Sequence, residues 1–196
     1  MKKMTLLLGA AALVMSVGVA NAGSNWIGLS GGAGIPTGDY NKAASTGWHL
    51  AATGTHMIDG QWGVGADLGY HAWGGSSDAN AAAVAAFGPG SEFNWSAFQA
   101  TAHGVMAFPT KSEMKPYATA GVGLYDITSR LKSPAGNDHV SKNELGFNVG
   151  AGMDMGTRHN MKWGVAGTYH IIPASSDLGS NVDFFSLGLN LVWGTN

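Results

Sequence analysis

The chain has 196 residues, 10 basic and 12 acidic side chains, no cysteine, and only 11% charged residues, where an ordinary soluble domain carries about a quarter. The acidic balance argues against nucleic acid as a partner, and the missing thiols exclude a disulfide framework and a thiolate metal site. Length allows about one domain.

Met1 to Ala22 has the three parts of an export signal. Lys2 and Lys3 are basic, Leu6 to Val19 is apolar, and Ala20-Asn21-Ala22 supplies small residues for cleavage after Ala22. Gly9, Ser16 and Gly18 interrupt the apolar stretch, which is short for a spanning helix. The mature domain is then Gly23 to Asn196. Without Lys2 and Lys3 it keeps 8 of the 10 basic residues against 12 acidic ones, a formal charge of −4. No later apolar run approaches the roughly 20 residues a spanning helix needs. Low charge without such a helix points to strands in lipid, and 31 glycines and 7 tryptophans suit a small barrel whose interior is crowded and whose rims sit at membrane boundaries.

Period-2 alternation recurs along the mature chain. It predicts strands over Asn25 to Ile35, Gly47 to Met57, Trp62 to Trp73, Asn94 to Phe108, Pro116 to Thr128, Asn143 to Met155, Lys162 to Pro173 and Val182 to Trp193. In the third, Trp62, Val64, Ala66, Leu68 and Tyr70 alternate with Gly63, Gly65, Asp67, Gly69 and His71; in the sixth, Leu145, Phe147, Val149, Ala151 and Met153 alternate with Glu144, Gly146, Asn148, Gly150, Gly152 and Asp154. The last has Phe185, Leu187, Leu189, Leu191 and Trp193 on one parity. A tilted strand crosses a membrane in about 9 to 11 residues, so each is long enough. The reading is an all-β chain forming an eight-stranded, antiparallel, up-and-down transmembrane β-barrel.

The intervening segments alternate long and short, from Pro36–Thr46 and Ile58–Gln61 through Gly74–Phe93, Pro109–Lys115, Ser129–Lys142 and Gly156–Met161 to Ala174–Asn181. Short turns face the periplasm in such barrels and long loops face outward. Aromatics should then gather at two levels. Trp26, Trp62, Phe108, Tyr117, Trp163 and Trp193 fall at the periplasmic level and Trp48, Trp73 and Trp95 at the other. Trp48, Trp62, Tyr117, Trp163 and Trp193 are the expected interface aromatics, while Trp26, Trp73 and Trp95 have the wrong parity for lipid and are expected beyond the regular ladder. A soluble ligand-binding barrel would need charge along its outer parity. Here most charges lie in the loops and turns.

The mature chain resembles the small outer-membrane β-barrel superfamily of Gram-negative bacteria that includes the OmpA transmembrane domain, OmpX and OmpW. The most specific piece is Ser186-Leu187-Gly188-Leu189-Asn190-Leu191-Val192-Trp193, similar to the family's C-terminal assembly signal. The resemblance implies that Gly188, Leu191 and Trp193 are read by the outer-membrane barrel assembly machinery, although Gly194-Thr195-Asn196 follows where many members stop. It also implies an environment of outer-membrane lipid and lipopolysaccharide.

The inward parity carries His49, Asp67, His71, Gln99, His103, Glu144, Asn148 and His170, with Asp67 and His103 near one depth on adjacent strands. Carboxylates facing imidazoles suit a proton relay or a zinc, nickel or copper site. An eight-stranded barrel has room for little beyond its own side chains, however, so the preferred reading is a self-satisfied polar plug with no metal and no cofactor. No catalytic residue is assigned. The histidine of outer-membrane lipid A deacylases is followed closely by serine, but Ile171-Ile172-Pro173 follow His170, and the ten strands of omptin proteases exceed the eight here. The Gly74 to Phe93 loop holds Ala79-Asn80-Ala81-Ala82-Ala83-Val84-Ala85-Ala86-Phe87, expected to form a short helix or an apolar patch, which either contacts an extracellular partner or folds over the barrel mouth or packs on lipopolysaccharide. The expected function is a structural or surface-interaction role. The alternative is a narrow OmpW-like channel: inward glycines at 28, 32, 63, 65, 121, 123, 150 and 152 either leave a passage or make room for Tyr125, Phe184 and the histidines.

Overall fold

The computed structural model describes residues 24–156, 160–173 and 181–195. The proposed signal, Met1 to Ala22, lies outside them. Eight antiparallel strands run β1 (Ser24–Thr37), β2 (Gly47–Met57), β3 (Trp62–Gly74), β4 (Glu92–Ala107), β5 (Met114–Ser133), β6 (Gly136–Gly156), β7 (Met161–Ile171) and β8 (Asp183–Gly194). Each pairs with its chain neighbours, and β1 closes on β8 from Trp26↔Gly194 to Thr37↔Asp183. Closure leaves the sheet no open edge, so the backbone of the wall is satisfied within the protein, as a lipid surround requires.

The outward parity is apolar from strand to strand. Leu29, Leu50, Val64, Leu124, Val149, Val165 and Leu189 lie between 39% and 65% exposed, an arrangement costly in water and favourable against acyl chains. Trp48, Trp62 and Trp163 point outward at the ends of this belt, and Trp193 lies across from Met161 and Ile27.

The described short turns lie at one end of the cylinder. Between β2 and β3, Asp59 Oδ1 accepts from the backbone N–H groups of Gln61 and Trp62, both at 2.7 Å. These bonds hold its carboxyl below the usual aspartate range. The opposite, extracellular end is more elaborate. After Gly38, whose φ of +58° favours glycine, a single turn α1 (Tyr40–Ala43) turns the chain inward, and Ala44 bridges to Gly75. The alanine-rich segment is a helix, α2 (Ser77–Phe87). Ser76 caps it by accepting from Ala79 N–H at 3.1 Å and also donates to the Lys42 carbonyl, tying α2 to α1.

The third outer connection differs from expectation. Ser129 to Lys142, read as a loop, is mostly ladder: β5 and β6 stay paired up to Ser133↔Gly136, leaving Pro134 and Ala135 to turn. The hairpin therefore rises beyond the apolar belt. Above the belt both faces of a strand meet water, so hydrophobic alternation fades while pairing continues.

Candidate functional site: a lumen sealed at its outer end

Inward side chains stack in layers along the barrel axis. At the outer end Tyr40, Trp73, Tyr125, Ile127, Ile172, Val182 and Phe184 form a buried cluster with Trp95 against it. Tyr40 comes from α1, not from the wall, and meets Trp73 and Trp95 edge-on, both at 5.6 Å between ring centres. Its burial pushes the phenol far above the ordinary tyrosine range. Trp73 packs on Phe184 at 4.8 Å, and its indole N–H donates to the Gly34 carbonyl. This lid closes the barrel on the outside.

Beneath the lid lies a histidine layer. His71 stacks on Trp73 at 5.5 Å and approaches His49 at 5.6 Å and His170 at 5.3 Å. Their partners fix the protons. Gln99 Oε1, 2.8 Å from His71 Nε2, can only accept, so Nε2 carries the proton. The Ala33 carbonyl likewise requires a proton on His49 Nδ1, leaving Nε2 to accept from Ser30. At His170 a directed chain runs from Asn148 Nδ2 to the Tyr125 hydroxyl, on to His170 Nδ1, then from Nε2–H to Ser186 Oγ and from Ser186 to the Thr168 carbonyl. Deeper in the lumen, His103 Nδ1 donates to Asp67 Oδ2 at 2.7 Å, and Thr101 donates to the same oxygen at 3.2 Å.

The structure thus gathers His49, His71, Gln99, Asn148 and His170 under the lid and sets Asp67 with His103 below them. Glu144 is half-buried across from Tyr125 and does not line the lumen cavity. Among the described residues no group of three potential ligands is placed to hold a metal ion.

Below the histidines the lumen opens into a cavity of about 520 Å³ that reaches Asp59, Gly60, Phe108, Pro109 and Thr110 in the short turns. It is blind toward the exterior and opens at the periplasmic end. Several inward glycines make room for larger neighbours: a Cβ on Gly65 would meet the His103 ring, one on Gly188 would lie 2.9 Å from His49 Nε2, and one on Gly121 2.8 Å from Asn148 Oδ1.

Aromatic placement corrects part of the sequence reading. Tyr117, expected at the membrane interface, points into the lumen, where Asn190 donates to its hydroxyl at 3.0 Å. It shares parity with Thr119, which lines the cavity, and with buried Tyr125, so level along the strand did not decide its direction. Trp26, Trp73 and Trp95, expected beyond the ladder, are paired within it: Trp26 with Thr55, and Trp73 with Trp95. Trp26 lines the inner mouth with the Lys162 ammonium 3.5 Å from its ring centre. Trp73 and Trp95 help build the lid. Their inward parity was the available signal, since a tryptophan pointing to the axis must fill one end of the tube.

The sequence matches the family described as outer membrane protein beta-barrel domain over residues 6–194. Among solved structures, the chain is similar to neisserial surface protein A (NspA) at 16% identity, covering 86% of this chain and 96% of that one with a TM-score of 0.61. A major outer membrane protein of Thermus thermophilus matches at 13% identity, 89% and 100% coverage and TM-score 0.56. Ail of Yersinia pestis, in complex with the heparin analogue sucrose octasulfate, matches at 16% identity, 87% and 99% coverage and TM-score 0.55. Comparison with curated protein sequences gives no match. These neighbours share the fold. The chain belongs to the outer membrane protein β-barrel domain family and is an integral protein of the bacterial outer membrane, in contact with its lipid and lipopolysaccharide.

Proposed function

We propose that this protein is a non-conducting membrane anchor that presents its outer crown, α1, α2 and the raised β5–β6 hairpin, at the cell surface. The aromatic lid carries this reading: Tyr125, Phe184 and Ile172 are fully buried and Tyr40 nearly so across the outer mouth, where a solute channel needs an opening. On α2, Val84 and Phe87 are 40% and 50% exposed, an apolar feature suited to contact with an extracellular partner. Ail was solved with a heparin analogue, but here Lys42 pairs with Asp39 and Lys132 with Glu92, so the crown is not a uniformly basic surface for a polyanion.

Hydrolysis is a weaker reading for a geometric reason. Ser186 and His170 are 3.0 Å apart, yet the Tyr125 hydroxyl donates to Nδ1 and leaves the proton on Nε2, the nitrogen that would have to accept the serine proton. The C-terminal residues fit an assembly role in that Leu191 faces lipid while Gly188 lies beneath His49; impaired barrel assembly with Trp193→Ala in cells is the expected result.

Planar-bilayer recording tests the central proposal. Purified protein should show no stable conductance steps, whereas Tyr40→Ala combined with Phe184→Ala should produce them. Steps from the unaltered protein would overturn the anchor reading in favour of a channel. Since the chain has no cysteine, Phe87→Cys on intact cells should react with a membrane-impermeant maleimide, and Gly60→Cys should not.

A further inference from the structure

Within the lipid the closed ladder has no edge, but the raised β5–β6 hairpin regains one. On its far side β5 is covered by β4 as far out as Glu92↔Lys132, whereas β7 accompanies β6 only from Phe147↔Ile171 inward. Among the described residues, no strand lies beside β6 between Gly136 and Gly146.

Register decides where the backbone groups of that stretch point. Antiparallel partners alternate between pairs that exchange both backbone hydrogen bonds and pairs that exchange none. Gly156 N–H donates to the Glu113 carbonyl, and the pairing runs without a bulge from Met114↔Met155 to Ser133↔Gly136. Even-numbered residues of β6 therefore bond to β5. Asn137, His139, Ser141 and Asn143 turn their N–H and C=O groups the other way, out of the hairpin. His139 shows the consequence: its N–H donates to Asp138 Oδ1 at 2.8 Å, a carboxylate standing where the carbonyl of a neighbouring strand would be. Val140, on the inward parity, is 54% exposed on the side that a further strand would cover.

We propose that this edge of β6 docks an extended polypeptide segment of an extracellular partner, which joins the hairpin antiparallel as a further strand. Donors and acceptors that recur at every second residue of a strand, roughly 7 Å apart, are matched by another extended backbone. The segment sets an apolar side chain against Val140 and a basic one against Asp138, whose carboxylate is released once a carbonyl of the partner accepts from His139 N–H. Both positions stand in pairs without backbone hydrogen bonds, where facing side chains come closest. The exposed Asp138 charge also disfavours a purely apolar strand, so the edge selects its partner. This inference rests on the surface presentation of the crown and names what its hairpin takes.

The test is NMR titration of the full mature protein in lipid nanodiscs with the end-blocked peptide Thr-Thr-Thr-Val-Thr-Lys-Thr. Saturable shifts are expected at the His139 and Ser141 amides, with those of Asp138 and Val140 moving less. N-methylation of the threonine between valine and lysine, which removes the donor facing the His139 carbonyl, should weaken binding at least tenfold; N-methylation of the valine, whose N–H points away, should not. Asp138→Lys should weaken the lysine peptide about tenfold and restore binding to a peptide with glutamate in that place. Heat-modifiable migration verifies that this variant is folded, and if it is not, the two methylated peptides decide. Absence of saturable shifts would overturn the proposal, as would equal loss from both methylations, or edge shifts that follow protein concentration alone and so report a second copy on the edge. Labelling of Asn137→Cys on intact cells by a membrane-impermeant maleimide separates the two readings: a labelled cell whose protein ignores the peptide sinks the docking site and keeps the anchor, while an unlabelled one sinks both.

Discussion

In the outer half of the lumen Trp73, Tyr125, Ile127 and Phe184 are buried against one another and against Tyr40, whereas in the inner half Thr53, Thr119, Asp67 and Asn190 line open space. The same inward parity of one continuous sheet supplies both sets. Alternation only decides that a side chain faces the axis; its bulk and polarity at each level decide whether that level is dry and sealed or polar and accessible. The lid also needs a part the wall does not provide, since Tyr40 is delivered by α1 from the first outer connection.

The largest effect should come from emptying the dry half. Phe184→Ala removes a fully buried ring and is expected to destabilise the barrel by about 3–5 kcal/mol, read as a lower denaturant midpoint in micelles. A loss below about 1 kcal/mol would show that the outer half is not tightly packed. Next is a control on the wall itself. Leu189→Arg, on the lipid side of β8 at 65% exposure, should cost about 2–4 kcal/mol in bilayers, and a neutral result would mean that this parity does not face acyl chains.

In the polar half, Asp67→Ala leaves His103 Nδ1 without its carboxylate and should cost about 1.5–3 kcal/mol, the scale of a hydrogen bond to a charged group. A double-mutant cycle with His103→Ala isolates the pair; a coupling near zero would show that the two act independently. Smaller still, Ser76→Ala removes the α2 cap at about 1 kcal/mol. Faster hydrogen exchange should be confined to the first turn of α2, around Ala79 and Asn80. If the wall amides responded equally, crown and barrel would be one cooperative unit.

The smallest effect is a pH response at the inner mouth. Asp59 is held below the ordinary aspartate range by two backbone N–H groups, so its contribution is present above the unfolded value and is lost as pH falls through its own lowered pKa. The Gln61 and Trp62 amide shifts should titrate with that low midpoint. A midpoint at or above the ordinary value of 3.8 would contradict the turn geometry.

Much of the wall was legible in advance because lipid imposes a strict two-residue period. β2 runs Gly47–Met57, as alternation predicts, and β3 and β8 differ by single residues at their ends. Legibility fades where the lipid ends. The hairpin above the belt carries Arg130, Lys132, Asp138 and Lys142, so its strands look like loop although their pairing is unbroken. Tyr117 shows a second limit: its height matched a girdle, but parity sets direction and outranks height. The lid depends on contacts between Tyr40 and rings over thirty residues away, which no local pattern reports. The inward histidines could be named from alternation, whereas their proton placement needed the partners Gln99, Ala33 and Tyr125.

A stopper at the outer rim rather than midway along the tube has a consequence for the envelope. Copies of such a cylinder can crowd the membrane at high abundance without adding leaks for external solutes. Each still encloses a small vestibule whose contents equilibrate with the compartment beneath, so the cell's own interior chemistry, not the surrounding medium, determines what occupies it.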